Sequence, residues 1–85
     1  MEEKKLKFAI DRMVLDANIY SKNLEIAKKK NLPLIEREYF SRSQGIRDAM
    51  FHLGYRLEED GKRADRKNDL EYMHYKAIKD RDLWK

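Results

Sequence analysis

The first thirty residues place apolar side chains at alternating steps of four and three: Leu6, Ile10, Met13, Ala17, Tyr20, Leu24 and Ala27. A 3.5-residue repeat held over that length is the seam of a helix that expects a partner helix. Residues 2–30 are therefore expected to form one long helix. Glu2 and Glu3 at its start and Lys28, Lys29 and Lys30 at its end suit the macrodipole. Asn31 is a plausible C-cap, and Pro33 discourages continuation through Leu32. A short opening strand, from the alternation of Leu6, Phe8 and Ile10, competes with this reading on fewer positions.

The next segment starts at Pro33, a residue suited to a first helical position, with Glu36 in the first turn. Ser41 and Gln44 have capping-box spacing and Gly45 follows, so a kink or a fresh helix start is expected near 40–45. Ile46, Ala49, Met50, Leu53 and Leu57 then form a clean helical stripe, with Asp60-Gly61 as the stop. Residues 61–67 read as a basic connector. Asn68 and Glu71 repeat the capping logic ahead of a third stripe of Leu70, Met73, Ala77, Ile78 and Trp84. The expected fold is all-α: one small domain over 1–85, with helices at about 2–30, 33–60 and 68–84. The first two would form an antiparallel hairpin within a three-helix bundle.

Composition supports this and excludes much else. Ala, Glu, Lys, Leu and Arg supply 43 of 85 residues, whereas Thr is absent and Val occurs once. A sheet-dominated fold is not expected from such usage. There is no cysteine, hence no disulfide framework and no thiolate chemistry. No apolar run approaches a membrane span and no signal-peptide core follows the charged start, so a soluble, cytoplasmic protein is the default. A chain this short closes only a thin core. Together with the seam Leu6, Ile10, Met13, Ala17, Tyr20 and Leu24, that favours a homo-oligomer.

Catalysis finds little support. Glu71 and His74 form a single Glu-x-x-His step, where helical di-metal sites use two, and His52 lacks a matching Glu. Glu58-Glu59-Asp60 is expected to be a solvated helix end. The three glycines form no phosphate-cradling loop, and the serines lie near neither histidine in sequence. No enzyme activity, metal or cofactor is expected.

Binding is more open. The formal charge is +4, with excesses of +3 in residues 1–30 and 61–85 and a deficit of −2 between them. Lys28, Lys29, Lys30, Arg42, Arg47, Lys62, Arg63, Arg66 and Lys67 could grip phosphates, the arginines through their guanidinium forks. In a helical bundle Lys28–Lys30 and the 61–67 connector would lie at opposite ends. Sixteen interspersed acidic groups argue for an ordinary solvated surface instead.

The run from Ser41 to Met50, with Ser41-Arg42-Ser43 before Ile46-Arg47-Asp48-Ala49, resembles the start of the second helix in ribbon-helix-helix DNA-binding proteins. The resemblance implies that Ser41, Arg42 and Ser43 face backbone phosphate, and that Lys5 and Lys7 lie on a strand facing the groove. It covers about ten residues. The first segment is a better helix than strand, the stretch from Lys30 to Ser41 is longer than that pattern allows, and the last 25 residues have no counterpart.

The expected function is thus a non-enzymatic regulator engaging nucleic acid or a phosphorylated, anionic ligand through its basic clusters. The alternative is an adaptor or inhibitor, such as a phage- or plasmid-type accessory factor. It would dock on another protein through Phe51, Tyr55, Tyr72, Tyr75 and Trp84.

Overall fold

A computed structural model of the chain describes residues 2–80. Helix α1 spans Glu3–Lys29 and α2 spans Pro33–His52; strands β1 (Tyr55–Asp65) and β2 (Leu70–Lys79) follow as an antiparallel hairpin. The fold is α+β rather than an all-α three-helix bundle. The described residues hold no third helix and no coiled coil, and Trp84 lies outside them.

The helical hairpin obeys its sequence signals. Asn31 takes φ 56°, its N–H bonds Lys28 O, and the N–H of Leu32 returns to Ala27 O at 2.9 Å. This is a Schellman closure, with asparagine in the left-handed position. Pro33 then opens α2 at its first turn, where the missing N–H has no helical acceptor to lose.

Through residues 40–45 α2 runs unbroken, so the capping-box spacing at Ser41 marks neither a kink nor a new start. Gly45 sits inside the helix, and a Cβ there would meet nothing within 4 Å. Gly45→Ala should raise stability by about 1 kcal/mol, read as a higher urea midpoint at unchanged slope. An unchanged or lower midpoint would show that Gly45 answers a constraint other than helix propensity.

The sequence expectation fails beyond residue 53. The stop of α2 is Gly54, with φ 83° and its N–H on Phe51 O, and Asp60-Gly61 is not a helix end at all. Gly61, at φ 80°, sits in an irregularity between Glu59 and Lys62, where two residues of β1 face one of β2. Asn68 and Asp69 do not cap a helix; they turn the hairpin. Asn68 N–H and Nδ2 both bond the Asp65 carboxylate, and Asp69 takes φ 52°. Short Asx side chains serve helix caps and tight turns by the same local hydrogen bonds, which is why the pattern misled.

The core is small. Ile10, Ala17, Met50 and Leu57 are buried together, with Met50 at 0% exposure. Leu6, Met13, Tyr55, Tyr75 and Ala77 pack around them. The heptad seam of α1 is therefore spent largely inside the chain, against α2 and the hairpin.

How α1 meets the sheet decides much of the rest. A two-stranded sheet has two open edges, each a row of unpaired backbone groups. Along β2 that edge is closed by side chains of α1. Asn18 Oδ1 accepts from Tyr75 N–H at 2.8 Å, its Nδ2 donates to Tyr75 O at 3.1 Å, and Ser21 Oγ donates to Met73 O at 2.6 Å. Asn18 mimics a neighbouring strand. No helix among the described residues is long and apolar enough to cross a membrane.

Candidate nucleic-acid interface

The hairpin changes where the charges lie. A helix rises about 1.5 Å per residue and a strand about 3.3 Å, so the 11 residues of β1 travel roughly as far as the 27 of α1. The β1–β2 turn is thereby carried back to the C-terminal end of α1. Lys29 Nζ donates to Asn68 O at 2.7 Å and to Asp69 O at 2.8 Å. Lys28–Lys30 and Arg66-Lys67 consequently share one end of the molecule, not opposite ends as a three-helix bundle required.

Three acids at this end, Asp65, Asp69 and Glu25, are already engaged. Asp65 is buried, bonded by Asn68 and 3.7 Å from Lys22 Nζ, and Asp69 lies 3.8 Å from Lys29. Lys28 has Glu25 at 3.5 Å. Lys30, Arg66 and Lys67 are exposed and make no ion pair among the described residues. Their charge is directed to solvent.

The side-chain hydrogen bond from Asn68 is the largest influence holding the Asp65 carboxyl below its ordinary value of 3.8; burial opposes it, and the Asn68 N–H and Lys22 add to it. The sign follows from linkage: a carboxyl depressed in the folded state adds stability that is complete above the unfolded value. That stability is lost as pH falls from 3.8 through the lower folded value. Asp65→Asn should accordingly flatten the acid limb of the stability profile below pH 3.8 and leave its shape above that unchanged. Stability measured across acid pH by urea titration checks this, and parallel acid limbs in the two proteins would refute it.

A groove leads away from the basic end between the helices. One part, about 440 Å³, is lined by Leu24, Lys28, Pro33, Glu36, Arg37 and Phe40. It shares Leu24 and Phe40 with a second part of about 390 Å³ that reaches Ser43, Arg47 and Tyr75. Phe40 is 54% exposed, a large ring held open between cations. Sequence reasoning did not single out Arg37, and nothing in the local pattern marks it.

The other sequence-derived sites are dispersed. Arg42 is drawn down by Glu38 at 2.6 Å and lies over the rings of Tyr20 and Tyr39, at 5.9 and 5.7 Å. Arg47 lies 5.0 Å over Tyr75. Both guanidiniums thus have aromatic partners within the chain. Lys62 and Arg63 sit mid-strand, Arg63 3.7 Å from Asp60. Lys5 and Lys7 are on α1, not on a strand, and Ser41 is inside α2, so the ribbon-helix-helix expectation fails in its secondary structure.

The aromatic docking set is not one patch either. Phe51 is exposed at the end of α2 and Tyr55 packs against the core. Tyr72 and Tyr75 are three apart on a strand and so point to opposite faces. The same rule separates Glu71 from His74. His74 Nε2 instead lies 3.2 Å from Asn18 Nδ2, and its Nδ1 lies 3.5 Å from Asp60. Among the described residues no three His, Asp or Glu side chains converge as metal ligands would. No protein-family model, curated protein or solved structure matches the chain.

Proposed function

We propose that the protein is a non-enzymatic nucleic-acid-binding protein that holds the phosphate backbone at the end carrying Lys28, Lys30, Arg66 and Lys67. The observation that supports this most directly is the pair of Lys29 hydrogen bonds to Asn68 O and Asp69 O, which joins two basic clusters 36 or more residues apart in sequence. The carboxylates of Asp65 and Asp69 there are occupied by Asn68, Lys22 and Lys29, so an incoming phosphate meets uncompensated charge at Lys30, Arg66 and Lys67. Phe40, in the groove next to Lys28 and Arg37, offers a face on which an unpaired base can stack.

Fluorescence anisotropy with labelled single-stranded and duplex oligonucleotides, over a salt series, tests the reading. Binding should weaken steeply with salt as counterion release is suppressed. Phe40→Ala should weaken the single-stranded complex more than the duplex one. No binding to either at low salt, or binding indifferent to salt, would overturn the proposal. The rival reading, docking on another protein, draws on Phe40 and Phe51, each more than half exposed and eleven residues apart on one side of α2. It is favoured by the salt-indifferent outcome.

A further inference from the structure

Of the two edges of the hairpin, α1 closes only that of β2. The groups bonded by α1 also reveal which way β1 points. Tyr75 and Met73 turn backbone groups to Asn18 and Ser21, hence away from β1. In an antiparallel ladder the residues opposite them, Glu59 and Lys62, must then turn their own N–H and C=O groups away from β2. The same alternation turns Leu57 and Ala64 outward. Among the described residues the sheet has two strands, and none lies beside that edge of β1. Glu58, Glu59, Lys62, Arg63 and Ala64 are all exposed along it.

The order of charges along this edge is self-complementary. Reading outward from the Asp60–Gly61 bond, Glu59 mirrors Lys62, Glu58 mirrors Arg63, Leu57 mirrors Ala64 and Arg56 mirrors Asp65. Two antiparallel copies related by a two-fold axis at that bond would set every one of these pairs opposite each other. In a regular strand the scheme would fail, because mirror residues an odd number apart point to opposite faces. The extra residue at Gly61 shifts the alternation by one and removes the conflict. Glu59, Lys62, Leu57 and Ala64 then share one face, and Glu58 and Arg63 share the other. The outward-facing backbone groups of Glu59 and Lys62, and of Leu57 and Ala64, also fall into hydrogen-bonding register.

We infer that β1 is a homodimerisation edge, on which a second copy of this chain pairs antiparallel about Asp60–Gly61 to make a four-stranded sheet. Charges on an edge strand often serve the opposite end, keeping other strands off. A guard of that kind needs one sign of charge, whereas here the sign inverts at the centre. Among the described residues Glu58, Glu59 and Lys62 make no ion pair, and Arg63 has the partly exposed Asp60 at 3.7 Å. Each dimer would gain four cross-strand ion pairs from these residues.

Sedimentation velocity over a series from low micromolar to submillimolar protein tests the inference. The wild type should pass from monomer to dimer and no further, since pairing consumes the edge that α1 leaves open. Glu58→Arg alone sets like charges opposite at two symmetric positions, and Arg63→Glu alone does the same. Each should weaken self-association by more than about tenfold. Mixed in equal amounts, the two variants should form a heterodimer, because both cross-strand contacts are then of opposite sign. Glu59→Lys and Lys62→Glu provide an independent pair on the other face of the sheet, usable if the first pair folds poorly by circular dichroism. A wild type that stays monomeric throughout, or variants that self-associate as well as it does, would overturn the proposal. None of these readouts involves nucleic acid, so the edge and the basic end stand or fall separately.

Discussion

Asn18→Leu is expected to cost roughly 2–4 kcal/mol of stability, the largest effect of any single polar substitution in the chain. Asn18 serves three groups at once: the N–H and C=O of Tyr75 and Nε2 of His74. Leucine has the same branched skeleton with bulkier methyl ends, so water cannot take the amide's place, and the half-buried strand edge is left with unmet donors and acceptors. Asn18→Ala leaves room for a water and should cost less than Leu, although it removes more atoms. That inverted order is the signature of hydrogen bonding rather than packing. Ser21→Ala, which gives up one bond to Met73 O, should cost only about 1 kcal/mol. Native-state hydrogen exchange locates the effect. In Asn18→Leu the Tyr75 amide should exchange freely, whereas Lys76, which faces Glu58 across the ladder, should fall in protection only with global stability. Leu and Ala variants as stable as the wild type, with Tyr75 still protected, would mean that α1 does not close the sheet.

Asn18 also explains why half of the fold was legible in sequence and half was not. The helical hairpin rests on local signals: a seven-position seam, Asn31 in the left-handed region and Pro33 in a first turn. Each acts within a few residues of itself. The β-hairpin has no such independence, since an isolated two-stranded ribbon is marginal in water. Its outer edge is satisfied by Asn18 and Ser21, more than fifty residues away in sequence. Leu70, Met73, Ala77 and Ile78 fit a helical stripe as well as they fit a strand, and the scarcity of β-branched residues weighed toward the helix. The local hints that favoured a hairpin were Gly54 directly after an apolar stripe and the polar turn Arg66–Asp69 between two runs of about ten residues.

The binding surface divides in the same way. Lys28, Lys30, Arg66 and Lys67 were recognisable as basic residues, but their convergence depends on β1 rising twice as far per residue as a helix would. Arg42 and Arg47 looked equivalent to them in sequence. What sets them apart is three-dimensional: Tyr20, Tyr39 and Tyr75 come to lie under their guanidiniums. Net charge per segment cannot register that difference.

The contrast between these two groups of cations gives the second large prediction. Reversing Lys30, Arg66 and Lys67 together to Glu should lower nucleic-acid affinity by on the order of 100-fold at moderate salt, because each lost phosphate contact also forfeits a released counterion. The slope of log affinity against log salt should become shallower by about 0.9 for each contact removed from duplex DNA, or nearly 3 for the three. These side chains are exposed and make no ion pair among the described residues, so stability should change little and the loss can be read as binding. Arg42→Gln and Arg47→Gln, which remove the same kind of charge, should leave the salt slope within experimental error of the wild type. Their guanidiniums already rest on Tyr20, Tyr39 and Tyr75. If the slope instead tracked total charge, falling equally for Arg47→Gln and for one reversal at the basic end, binding would be a diffuse attraction to a cationic protein. A site assembled where Lys29 meets the hairpin turn requires that the two differ.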